Sequence, residues 1–323
     1  MTLNLRFAAS LAAAAITGFT PVAHASCGSA FCTLMTDRYA QTTGDAHPGW
    51  SADVRLELVN LDRLRTGTHS LDASQVEDEE AVERHTRNQN LVTTLGYGVD
   101  DDWSLSLRVP MVRRDHLHDL IDENTGLVGP SEQWTFTRLG DVQLLARRQF
   151  LSADAGAAYA VFGGLKFPTG PTHIANADGS RAERALQPGT GTTDLVIGAA
   201  ARQSLGMTDA AIGQLSWSQA MNSRDDFKPG RRLEASLGWS HAFSRSLGSV
   251  LQLNFRERAR DRGAQAEPDN SGSTEVDLSP GLTMAVGEAS TLYAYVQLPL
   301  YQKVNGVQLV SRHAFALGWT SDC

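Results

Sequence analysis

From about residue 50 onward, apolar and polar residues exchange places one by one, which is the period of a half-buried strand. Between Thr274 and Val286 the residues Val276, Leu278, Pro280, Leu282, Met284 and Val286 share one face, while Glu275, Asp277, Ser279, Gly281 and Thr283 share the other. Leu292, Ala294, Val296, Leu298 and Leu300 alternate in the same way with Thr291, Tyr293, Tyr295 and Gln297. Trp103, Leu105, Leu107, Val109 and Met111 turn away from Ser104, Ser106 and Arg108. About twelve such runs follow one another, near 50–62, 88–98, 102–113, 136–150, 156–167, 190–204, 209–221, 230–243, 248–259, 273–286, 290–301 and 307–319. No stretch of comparable length carries an apolar stripe at the helical period. The chain is all-β.

The connections separate a soluble sandwich from a barrel. Short turns at 99–101, 152–155, 205–208, 244–247 and 287–289 alternate with longer polar connections at 63–87, 114–135, 168–189, 222–229, 260–272 and 302–306. An even strand number, short turns at one end and long loops at the other describe an outer-membrane barrel. The polar face holds charges of both signs in mid-strand, among them Asp53, Arg55, Glu57, Asp141, Arg147, Glu234, Arg256, Glu275 and Asp277. Such charges suit a wet lumen. Trp50, Trp103, Trp134, Phe150, Phe167, Phe243, Tyr301 and Trp319 sit near strand ends, where interfacial girdles form. The expected architecture is a closed antiparallel transmembrane β-barrel of about twelve strands over residues 50–319.

The N-terminus sets the compartment. Met1 to Ala25 holds one charge, Arg6, then an apolar run from Phe7 to Ile16 and the small-x-small sequence Ala23-His24-Ala25. This reads as a secretory signal peptide over 1–25. It delivers the chain from the periplasm, so both ends and the short turns are expected there and the long loops outside. Residues 26–49 form a periplasmic segment placed to plug the barrel, and 320–323 a periplasmic tail. Cys27, Cys32 and Cys323 are the three cysteines. The first two could close a small loop, either could pair with Cys323, or all could remain thiols or bind a soft metal. Spacing leaves these alternatives open.

Composition narrows the partners. Of 28 Lys and Arg residues only Lys166, Lys228 and Lys303 are lysine, the net charge is −8, and no basic block occurs. A nucleic-acid binder is therefore not expected. The expected partners are outer-membrane lipid, lipopolysaccharide, a small-molecule solute and a periplasmic protein at the chain ends.

Three stretches carry a family resemblance: Gly164-Leu-Lys-Phe-Pro-Thr-Gly170, Leu186-Gln-Pro-Gly-Thr-Gly-Thr-Thr-Asp194 and Gln297-Leu-Pro-Leu-Tyr-Gln-Lys-Val-Asn-Gly306. Together they resemble the transporter-like outer-membrane proteins grouped with the meta-pathway of phenol degradation. The resemblance implies a barrel that serves small organic molecules. It does not explain the cysteines. Taken alone, the motif residues are turn chemistry, with Pro168 and Gly170 ending a strand and Asn305-Gly306 suiting a type I′ hairpin. The connection from Pro168 to Gly189 is also long enough to fold into the mouth as a constriction.

Candidate chemistry is sparse. His116 and His118, at spacing two beside Asp119, Asp122 and Glu123, are the weak candidates for a metal; an acidic, solvated loop is the plainer reading. No Gly-x-Ser-x-Gly occurs, and the strand histidines His241 and His313 lack a nucleophile motif, so neither an enzyme nor a cofactor is expected. The inward residues Arg55, Glu57, Arg108, Arg147, Arg256, Asp277, Tyr293 and Tyr295 are the expected solute path. The function so read is passage of small solutes, organic ones among them, without energy input. The alternative is a non-conducting barrel that docks a periplasmic redox or metal-handling protein through its cysteine-bearing ends.

Overall fold

The computed structural model describes residues 48–76, 81–122, 128–151 and 156–322. Strands β1 (Gly49–Gly67), β2 (His69–Leu71), β3 (Ala81–Gly98), β4 (Trp103–Ile121), β5 (Val128–Leu139), β6 (Val142–Leu151), β7 (Ala157–Phe167), β8 (Asp194–Ser204), β9 (Asp209–Ala220), β10 (Arg232–Ala242), β11 (Leu247–Arg258), β12 (Ser273–Val286) and β13 (Ser290–Asp322) form one antiparallel sheet. Each strand of the ring pairs with its sequence neighbour, and β13 returns to pair with β1 from Ser51↔Asp322 to Gly67↔Val304, which closes the barrel. β2 and β5 lie off the ring path.

β13 is 33 residues long because it is a hairpin. Its first arm pairs with β12 and its second with β1, and the Asp322 N–H at the end of the second arm donates to Ala289 O, in the turn just before the first, at 3.0 Å. Counted as two arms, β13 brings the ring to twelve. The turn lies at Asn305–Gly306 as the sequence suggested, but only Gly306 (φ +55°) is left-handed. That excludes type I′, which needs both residues there. Asn305 instead donates through Nδ2 to Ser271 O at 2.9 Å.

The pleat sorts the residues as the alternation requires. Leu56, Leu91, Leu105, Leu251, Leu282 and Leu317 are exposed on the outside, while Glu57, Asn90, Asn254, Asp277 and Gln297 are buried inside. Apolar groups outside and polar groups inside would invert a soluble protein; in lipid the outer face finds its solvent and the inner polar groups pair with one another.

Several strands outrun the sequence reading. β1 continues to Gly67, β3 begins at Ala81, β4 reaches Ile121 and β5 starts at Val128, so the expected loops at 63–87 and 114–135 are mostly strand. There the outward positions are Asn60, Asp62, Arg87, Gln89, Arg113, Gln133 and Thr135, all exposed and polar. Here the pattern inverts, with Val59, Leu61, Leu64, Val112, Trp134 and Phe136 buried inside and the polar residues outside, although the backbone pairing continues. These extensions stand above the apolar belt.

Candidate solute path and its constriction

β5 and β6 follow one path, broken at Gly140–Asp141: β4 pairs with β6 along Trp103–Arg108 and with β5 along Met111–Ile121. β7 pairs with β6 and ends at Phe167, so β5 has a strand neighbour only in β4. The space beside it is taken by residues 168–193, which turn inward. Ala182, Arg184, Ala185, Leu186, Gln187, Thr190 and Thr192 of this segment are buried, Leu186 and Thr192 completely. Leu186 and Ala182 pack on Val112, Trp134 and Phe136. A small hairpin runs from Ile174 to Ala182, with Ala182 N–H donating to Ile174 O at 2.9 Å, and Trp134 Nε1 donates to Ser180 O at 2.9 Å. Trp134 thus belongs to the interior and not to a girdle, a correction caused by β5 starting earlier than the alternation shows.

The anchor of this inner segment unites two of the three motif stretches. Lys166 Nζ lies 3.1 Å from Asp141 Oδ2 and 3.0 Å from Asp194 Oδ2, with all three side chains buried. Asp141 also accepts from the Gly170 N–H at 3.0 Å and the Thr190 N–H at 2.9 Å. Thr192 Oγ1 donates to Asp194 Oδ1 at 2.7 Å. Gly170 and Gly189 meet backbone to backbone beside Gly140, where a β-carbon on Gly170 would fall 2.8 Å from Gly189 Cα. Arg184 adds a second buried cation and donates to Thr172 O at 3.1 Å and Thr190 O at 2.9 Å. Opposite charges and backbone donors satisfy one another here, which makes a buried ionic group tolerable.

Arg114, completely buried, ties the segment to the wall: Nε donates to Asn88 Oδ1 at 2.7 Å and Nη1 donates to Leu186 O. His116 and His118 lie beside it on the inner face of β4, not in a solvated loop. Their rings stand 5.5 Å apart, each against Trp134. His116 Nδ1 bonds Thr86 Oγ1 at 2.8 Å, and His118 sits 3.3 Å from Glu132 and 3.9 Å from Glu183. Burial first, then the charges of His118 and Arg114, hold the His116 imidazole well below its ordinary range. Among the described residues no three His, Cys, Asp or Glu side chains stand together as metal ligands.

Within the belt the inner wall is charged. Arg55 Nη2 pairs with Glu57 Oε1 at 2.8 Å, and Asn90 Nδ2 reaches Glu57 at 3.5 Å. Arg256 lies 3.2 Å from Glu275 and 3.9 Å from Glu234. Gln297 donates to Asp277, and Asn254 Nδ2 donates to Ser279 Oγ at 2.8 Å. Tyr293 donates to Asp53 Oδ2 at 2.8 Å, with the Tyr295 ring 5.8 Å from its own. Arg147 is buried on the inner face of β6, and Arg108 is half-buried on that of β4. The eight expected path residues therefore share the interior. The sequence reading missed Lys166, Arg114 and Arg184 as interior cations; the Asp194 turned inward by alternation was the available signal for a partner at Lys166. Exposed His313 continues the outward row of Phe315, its ring 5.1 Å from that neighbour, and His241 stands on the outside between Trp239 and Phe243. The expected signal peptide, residues 26–47, Cys27, Cys32 and Cys323 lie outside the described residues.

A closed antiparallel ring with an apolar belt outside and a charged lumen is a transmembrane β-barrel of the bacterial outer membrane. Among solved structures, an outer-membrane channel from Pseudomonas putida F1 is similar at a TM-score of 0.62 and 13% identity, over 87% of this chain and 98% of that one. The P. putida toluene transporter TodX gives 0.47 at 8% identity, over 87% and 92% of the two chains. The translocator domain of the autotransporter NalP from Neisseria meningitidis gives 0.45 at 9%, over 87% and 91%. At these identities the likeness extends to the fold. No family model matches the sequence, and no curated protein matches it.

Proposed function

We propose that the protein is an outer-membrane channel that passes small solutes without energy input, with residues 168–193 as its constriction. The observation that supports this most directly is the inner wall. Arg55, Glu57, Asn90, Arg147, Asn254, Arg256, Asp277 and Gln297 line one closed ring with polar groups, several already paired with each other. A barrel of twelve strands lies between the filled eight-stranded case and the wide porins, so its lumen suits small molecules. The polar wall favours organic solutes that carry hydroxyl or amide groups, with Tyr293 and Tyr295 as faces for a ring. The similar P. putida F1 structure is itself described as an outer-membrane channel, which fits this reading. So does the resemblance to the phenol meta-pathway transporter-like proteins, whose two motif stretches meet at Lys166. The short-turn end is periplasmic and the long-loop end extracellular in this proposal.

The test is single-channel conductance of the folded protein in planar bilayers, beside a variant lacking residues 172–187. Discrete steps that enlarge in the variant support a channel constricted by this segment. Silence from both, with folding verified by heat-modifiable mobility, overturns it.

A further inference from the structure

The outer surface at the short-turn end holds one cation in an unusual setting. Arg148 lies on β6 between Arg147 and Gln149, which both point inward and are buried, so the pleat turns Arg148 outward, where it is exposed. Its strand partner is Trp103 of β4, and Phe150 follows two residues along on the same face. The guanidinium carbon stands 5.5 Å from the Trp103 ring centroid and 5.0 Å from that of Phe150. Around them the outward residues are Leu105, Leu144, Tyr159 and Val161, all exposed. Among the described residues no carboxylate lies within ion-pair range of Arg148. Trp50 and Tyr97, with rings 4.9 Å apart, continue the aromatic band at the same end of the barrel.

We propose that Arg148 is a lipid-phosphate site: its guanidinium takes the phosphodiester of a phospholipid in the leaflet at the short-turn end. Aromatic bands mark the level of the headgroups, where apolar chain gives way to phosphate. An arginine there faces hydrocarbon on one side and needs an anion on the other. The planar fork matches two phosphate oxygens, and the two ring faces hold it in place before the lipid arrives. Lipopolysaccharide belongs to the opposite leaflet, so a phospholipid is the occupant chosen. The assignment of leaflet rests on the orientation proposed above; the contact itself does not.

Native mass spectrometry of the full chain, released from detergent with phosphatidylglycerol, with a phosphate-free glycolipid or with inorganic phosphate, tests this. The wild type is expected to retain phosphatidylglycerol over the glycolipid, and Arg148→Ala to lose about tenfold in that retention, as removal of one charge-assisted bidentate contact implies. Arg113→Ala, at the other rim, is expected to leave it unchanged. Arg148→Gln, which keeps the side chain's length, serves if the alanine variant does not fold. Equal retention by wild type and Arg148 variants, equal retention of the glycolipid, or full displacement by inorganic phosphate overturns the proposal. Failure of channel conductance would leave this result intact, since the site lies on the outside.

Discussion

Lys166 Nζ and Asp194 Oδ2 stand 3.0 Å apart in a place that water does not reach, and this pair fastens the inner segment at its two ends. Lys166 closes β7 just before the segment begins, and Asp194 opens β8 just after it. Replacing Lys166 by Met removes the cation that faces both Asp141 and Asp194. The expected cost is about 3–5 kcal/mol, the usual consequence of stranding a buried charge. The observable outcome is a lower unfolding temperature in heat-modifiability gels and new tryptic cleavage at Arg181 or Arg184. Unchanged mobility and protection would mean that the ion triad does not hold the segment.

Gly189→Ala tests the packing of the same anchor without touching a charge. The added methyl group meets the Gly170 backbone, which has no flexible side chain to yield. Overpacking of this kind costs about 1–3 kcal/mol. The segment should withdraw from the wall, and conductance per channel should rise relative to the wild type in the same bilayer. A variant with wild-type conductance and stability would show that the glycine contact is not needed.

Acid should loosen the segment through His116. This imidazole lies above the belt, and its folded value is held well below the ordinary 6.5 by burial, by His118 and by Arg114. An unfolded or released chain therefore binds the proton more readily than the closed one. The stabilisation is complete above about pH 6.5 and is lost as pH falls below it, by at most about 1.4 kcal/mol per pH unit for one group. Asp115 and Asp119 respond later. Burial pushes each of them up, but hydrogen bonds from Gln133 and Thr135 on the one and Ser131 and Arg84 on the other outweigh it, leaving both below the usual 3.8. Amide exchange of residues 172–187 between pH 4.5 and 7.5 should quicken on acidification, and His116→Gln should flatten the dependence. A flat profile in the wild type would refute the role given to His116.

Ion selectivity should follow the lumen carboxylates. Glu57→Gln removes one negative charge beside Arg55, with which it pairs at 2.8 Å. Glu57 itself is buried in the wall; its charge felt about 4 Å away across water is worth about 1 kcal/mol, or roughly fivefold in the local preference for a cation. Reversal potentials in a salt gradient should shift toward anion selectivity by that order. An unaltered reversal potential would place Glu57 off the conduction path.

The alternation revealed the ring because lipid and lumen impose opposite chemistry on successive residues. Leu105 and Leu107 face outward while Ser106 faces in, and about twelve such runs, joined by alternating short turns and long connections, spell out a barrel. Where lipid ends, the code ends too. Arg113 and Asp115 look out into water while Arg114 and His116 look into the protein, so the four read as a polar loop although they continue β4. The inward orientation of Arg55, Glu57, Arg108, Arg147, Arg256, Asp277, Tyr293 and Tyr295 was legible by parity alone. The inner segment was visible only as a long connection between two glycine-bearing motifs, because its burial depends on the gap beside β5, a tertiary fact with no local signature. Trp134 was misplaced for the same reason.

The seam between β1 and β13 has a consequence for biogenesis. Ser51 pairs with Asp322, so the ring's first strand must wait with an open edge until the hairpin at Asn305–Gly306 has folded back to meet it. Such an edge is a template for pairing with other chains. A ring has no half-closed stable form, so a polypeptide interrupted anywhere before the second arm of β13 would present two sticky borders at once. Closure of the ring is therefore a single late event, the moment at which the seam zips.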